Sequence, residues 1–90
     1  MTVYYRGVLL AMSKARQRAP LFRKKLGYAV RGRRELKSLS QEKLAELASV
    51  HRNFIGQIER GERNCTIMSL VKIATALRCK SSEILDDAGL

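Results

Sequence analysis

Residues 41–60 read QEKLAELASVHRNFIGQIER, and this stretch decides the fold. Ser40, just ahead of it, suits an N-cap because its hydroxyl accepts from the free amides of a first helical turn. Leu44, Ala45 and Ala48 follow at helical spacing, which predicts a short helix over 41–48 with one buried face. Ser49, Val50 and His51 interrupt the pattern. A second helix is predicted over 52–60, with Ile55 and Ile58 turned inward and Gly61 ending it as a left-handed cap. Two short helices joined by so tight a turn must cross closely, and Ala45 is small enough to let them. Leu44, Ala48, Val50, Ile55 and Ile58 form the inward set that such a crossing requires.

Toward the N-terminus, Phe22, Leu26, Ala29, Val30 and Arg33 recur at three- and four-residue steps, predicting a helix that starts at Pro20 and runs to Lys37. Gly27 and Gly32 weaken it by up to ~1 kcal/mol each relative to Ala, so packing must hold it. Residues 1–19 show neither strict alternation nor a sustained 3.6-residue period, and Pro20 disfavours a helix running through Ala19. A loose arm is expected there, with at most a helical turn around Val8–Met12. Toward the C-terminus, Thr66 caps a helix whose Ile67, Leu70, Val71, Ile73, Ala74 and Leu77 line a core face. A last short helix over 82–88 contributes Ile84 and Leu85. The expected architecture is all-α, a five-helix bundle over residues 21–90 with a flexible basic arm at 1–20.

Ninety residues allow one small domain, and 46% hydrophobic residues are too many for a disordered basic tail. Lysine and arginine total 18 against 8 acids, for a formal charge of +10. Residues 1–37 hold eleven basic groups and one acid, Glu35, whereas 38–90 are balanced at seven of each sign. An anionic polymer or surface is therefore the first partner to consider, with a merely solvated tail as the plainer reading. Cys65, Cys79 and His51 are too few for a disulfide framework or a four-ligand zinc site, so a reducing compartment, no metal and no cofactor are expected. The apolar run Val8–Met12 is too short for a signal peptide or a membrane span, which points to a soluble cytoplasmic protein with no membrane partner. No nucleophile–base pair, metal cluster or phosphate loop is visible, so enzymatic activity is not expected.

From Leu26 to about Leu85 the chain resembles the phage-repressor and Cro type of helix-turn-helix DNA-binding protein, the XRE family. The resemblance rests on LGYAVRGRREL, LSQEKLAELA, IERGERN and SLVKIATAL in that order, and covers about two-thirds of the sequence. It implies that the 52–60 helix enters the major groove of double-stranded DNA and that dimers read palindromic sites. Arg52, Asn53 and Gln57 would then face bases, with Ser40, Gln41 and Arg60 on phosphates. The residue types suit base reading, since Asn and Gln can pair with adenine through two hydrogen bonds, and Arg with guanine. An ordinary solvated helix face is the plainer alternative. Arg6, Lys14, Arg16 and Arg18 of the arm would add phosphate contacts without reading bases. The resemblance further implies a buried salt bridge between Arg34 and Glu59, in place of two separately solvated charges.

Four positions depart from that family's usual pattern. Ser49 stands where the turn commonly has Gly, so a left-handed residue must carry a side chain at a cost of ~1 kcal/mol. Cys65 replaces a common Pro, Arg33 replaces an apolar residue and should lay its stem on the core with its head in water, and His51 replaces a small hydroxyl cap. His51 is read as a surface residue or a phosphate contact. Gly56 either admits the sugar-phosphate backbone or is neutral, and Phe54 either covers the core edge or touches thymine methyls. The functional expectation is a sequence-specific transcriptional regulator, nucleoid-associated and homodimeric. Its plan is that of Cro, compact controller proteins or antitoxins, without the separate dimerising domain of full-length repressors. Met68, Val71, Ile84 and Leu90 are the candidate interface residues, with core packing as the other reading. The alternatives are an RNA-associated or coactivator-like module dominated by the basic arm, and an antitoxin with a protein partner.

Overall fold

A computed structural model describes the backbone of residues 2–90 and the side chains from residue 18 onward. Five helices follow in order: α1 (Thr2–Leu36), α2 (Gln41–Ala48), α3 (Arg52–Glu59), α4 (Ile67–Ala76) and α5 (Ser81–Asp87), with no strand among the described residues. Ser40 caps α2 by accepting from the Lys43 amide at 2.9 Å, and Thr66 caps α4 by accepting from the Ser69 amide at 3.1 Å. Expectation and structure agree at α2, and at α3 and α5 to within one residue at either end.

The first helix is different. It does not start at Pro20 but continues through it from Thr2. Pro20 lacks an amide proton and so leaves one helical hydrogen bond unmade. The flanking stretch Leu9–Ala19 is nevertheless rich in strong helix formers: Leu, Ala, Met, Lys, Arg and Gln. At ~1.5 Å per residue, a helix of 35 residues accounts for the longest dimension of the molecule, 51 Å against 22 and 19 Å. The side chains of Arg6, Lys14 and Arg16 lie outside the described residues, whereas Arg18 is described and exposed.

The core is built from Val30 of α1, Leu44, Ala45 and Ala48 of α2, Ile55 and Ile58 of α3, Leu70, Ile73 and Ala74 of α4, Leu77, and Ile84 of α5. Leu26, Val50, Phe54 and Leu85 pack around it half-buried. Helix α3 lies against both α1 and α2, α2 against α4, and α5 closes the bundle against α1 and α4. Close approach decides one position. A Cβ on Gly27 would stand 2.6 Å from the Glu59 carbonyl oxygen and closer still to that of Ile58, so α1 and the end of α3 meet backbone to backbone. Two apolar residues assigned to the α4 core face point outward instead: Ile67 is 80% and Val71 44% exposed. The core contacts of α4 come from α2 and α5, and these cover only the side that carries Leu70, Ile73 and Ala74. Ile84, a candidate for an interface, is fully buried in this core.

All five helices end in the same way. The residue after the last turn is left-handed, and the amide beyond it reaches back to a carbonyl of the preceding turn: Leu39 to Arg34, Val50 to Ala45, Glu62 to Gln57, Cys79 to Ala74 and Leu90 to Leu85, at 2.9–3.1 Å. Gly61 and Gly89 supply that residue for α3 and α5, but Ser38, Ser49 and Arg78 supply it for α1, α2 and α4, at φ of 56–57°.

Candidate nucleic-acid interface

Two side chains, Arg34 and Gln41, hold the end of α3 through Glu59. Arg34, in the last turn of α1, donates from Nε to Glu59 Oε2 at 2.6 Å, from Nη2 to Glu59 Oε1 at 2.9 Å, and from Nη1 to the Leu39 carbonyl at 2.8 Å. Gln41, first residue of α2, donates from Nε2 to Glu59 Oε1 at 3.1 Å. The Glu59 side chain is 3% exposed and that of Arg34 12%, so this is the buried ion pair that the resemblance implies. Its hydrogen bonds hold the Arg34 guanidinium still further toward its charged form. One carboxylate thus ties the end of α1, the loop after it, the start of α2 and the end of α3 into a single frame.

Helix α3 begins on His51, whose Nδ1 accepts from the Asn53 amide at 3.0 Å. His51 is exposed, but it serves as an N-cap, the function that a Ser or Thr hydroxyl performs elsewhere. From that cap Arg52 and Asn53 project outward, with Gln57 one turn further on the same face. These three share a concavity of about 700 Å³ with Ser40, Gln41 and Arg60. The residues of the body assigned from sequence to bases and to phosphates are therefore brought together on one surface, the first set on α3. Gly56 forms the floor between two of them: a Cβ there would lie 3.0 Å from Arg60 Nη1 and 3.4 Å from Gln41 Oε1. Because Gln41 turns its Nε2 toward a carboxylate, its Oε1 lies on the Gly56 side of this concavity. Arg60 is drawn to Glu62 at 3.0 Å, and the arginine holds that carboxyl below its usual range.

Two features escape a sequence reading. The head of Arg33 is not left in water as expected but forms ion pairs with Asp87 at 2.5 Å and Glu83 at 3.6 Å, tying α1 to α5. Arg63, in the loop after α3, donates from Nη1 to Gln57 Oε1 at 3.1 Å and places its guanidinium 5.1 Å from the Phe54 ring centroid. Phe54 packs half-buried at the core edge and also carries this cation. No periodicity marks a loop arginine, and nothing but its proximity to the outer face of α3 in three dimensions brings it into the site.

A short helix capped at its start, locked at its end by a buried carboxylate and presenting Arg, Asn and Gln on its outer face defines a DNA-binding helix-turn-helix transcription regulator. Residues 30–84 match the helix-turn-helix family HTH_3, and the chain belongs to that family. It is 44% identical over 61 residues to the control protein C.SmaI of Serratia marcescens, covering 68% of this chain and 73% of that one. The control protein C.BamHI of Bacillus amyloliquefaciens is likewise 44% identical over 61 residues, covering 67% and 75%. Among solved structures, the restriction-modification controller protein C.AhdI of Aeromonas hydrophila superposes with a TM-score of 0.68 at 40% identity, covering 69% of this chain and 94% of that one. Among the described residues no helix is long and apolar enough to cross a membrane.

Proposed function

We propose that the chain is a sequence-specific regulator of the controller type, binding as a homodimer to an operator with two half-sites. The observation that carries this reading is the single concavity lined by Arg52, Asn53 and Gln57 together with Gln41 and Arg60. Groups suited to base edges there share one surface with groups suited to phosphate. The relatives named as control and controller proteins support the same kind of regulation for this chain. A second copy covers α4: Met68 and Val71 are exposed there beside Leu47 of α2, an apolar surface that the bundle itself leaves open. Leu90 is exposed as well. The basic residues of 1–20 add phosphate contacts beyond the half-site, carried on a helix.

Selection of bound sequences from random duplex DNA, with the stoichiometry of the complex measured by sedimentation, tests this reading. An enriched inverted repeat bound by two chains is expected. Enrichment of no sequence, or binding of RNA and random DNA with equal affinity, would refute it in favour of a basic adaptor.

A further inference from the structure

The hydrogen bond between Arg63 and Gln57 bears on which base is read, and it rests on the operator-binding reading above. Arginine can only donate, so the Gln57 atom facing Arg63 Nη1 must be the carbonyl oxygen, which leaves the amide nitrogen as the end turned away from Arg63; Gln57 lines the concavity. Arg63 is itself held on a second side by the Phe54 ring, which fixes the guanidinium over α3. A glutamine reading adenine needs both of its ends: Oε1 accepts from the N6 amino group while Nε2 donates to N7. Here Oε1 is already engaged by a cation, and an adenine amino group approaching it would meet guanidinium protons, donor against donor. Oε1 keeps a second lone pair, but the guanidinium beside it disfavours another donor there, so the outward face of the pair is dominated by N–H groups.

We propose that Arg63 is a positioning residue that converts Gln57 into a donor, so that this position of the half-site is read as an acceptor-only major-groove edge, guanine N7 and O6, and not as adenine. The ordinary pairing of glutamine with adenine is thereby reversed by a residue outside the recognition helix.

Sequence selection from random duplex DNA with wild type, Arg63→Ala and Arg63→Lys tests this, with Gln57→Ala locating the base pair concerned. The wild type is expected to prefer guanine at that base pair. Arg63→Ala frees Oε1 and should shift the guanine-to-adenine preference there by about ten-fold or more, leaving the positions read by Arg52 and Asn53 unchanged. Arg63→Lys retains a donor toward Oε1 and should keep the wild-type base. Arg63 is exposed and outside the core, and an unchanged thermal melt would show the variants folded. The same preference in wild type and Arg63→Ala would overturn the inference while leaving operator binding intact. Adenine at that base pair in the wild type would overturn it too. Failure of the wild type to enrich any sequence would overturn the operator reading, and this inference with it.

Discussion

Replacing Glu59 with Ala removes the acceptor of three hydrogen bonds at once: two from Arg34, at 2.6 and 2.9 Å, and one from Gln41, at 3.1 Å. Arg34 would then keep its bond to the Leu39 carbonyl and a remote carboxylate, Glu35 at 3.9 Å, in a place where its side chain is only 12% exposed. Breaking a buried pair from one side costs ~3–5 kcal/mol because a charge is left without its partner. The surviving Leu39 bond and the partial exposure of Arg34 put this case near the lower end, ~3 kcal/mol. For a domain of this size that is a fall in Tm of roughly 12–24 °C, at about 4–8 °C per kcal/mol. Thermal unfolding followed by differential scanning calorimetry measures it. Removing both partners, as in Arg34→Met with Glu59→Leu, should restore most of the stability, since the pair's attraction is largely offset by desolvation. Specific DNA binding should stay weak in that double variant, because Gln41 and α3 have lost their common anchor. A Glu59→Ala melt within about 0.5 kcal/mol of wild type, the range of ordinary surface changes, would refute this account of the frame.

Gly27→Ala should destabilise by ~1–3 kcal/mol, measured by urea denaturation, because the added Cβ meets backbone carbonyls that cannot swing aside. Ser49→Gly should raise stability by some tenths to ~1 kcal/mol in the same assay, since glycine adopts a left-handed conformation without the Cβ clash; Ser38→Gly and Arg78→Gly should act likewise. His51→Ala should cost ~1 kcal/mol through loss of the α3 cap and His51→Ser only a few tenths, a difference read from denaturation midpoints at neutral pH. Changing Arg6, Lys14, Arg16 and Arg18 together to Gln preserves helix propensity and should lower the log–log salt slope of DNA binding by up to ~3.6, with similar losses on specific and random duplexes. An unchanged slope in filter-binding titrations would remove these residues from the interface.

The parts of this fold that are legible in the sequence are those governed by neighbours along the chain. Ser40 and Thr66 as caps, Gly61 as a stop and the inward set of α2 and α3 depend on spacing alone, and they stand where spacing puts them. The Arg34–Glu59 pair, 25 residues apart, is legible only through family resemblance. Spacing says that a residue is apolar on a helical face, but not whether another helix covers that face. Ile67 and Val71 therefore read as core, and Ile84 as an interface candidate, against their actual exposure. The start of α1 is missed for a different reason. Core periodicity marks only the part of a helix that packs on a body, and the part of α1 before Pro20 is helical by composition. His51 as a cap and Arg63 against Gln57 depend on local geometry that no residue preference announces.

Helices α2, α3, α4 and α5 have 8, 8, 10 and 7 residues, whereas α1 has 35. A helix shorter than about 12–15 residues does not persist alone in water. The four short ones therefore exist only together, as one cooperative unit assembled against residues 22–36 of α1. The first helix exceeds that limit and can hold some helix without the body. Helical content and the integrity of the DNA-reading surface are consequently two different quantities in this chain. With the body fully unfolded, α1 can still contribute far-ultraviolet signal, so a variant that looks helical at 222 nm can have lost its recognition surface altogether.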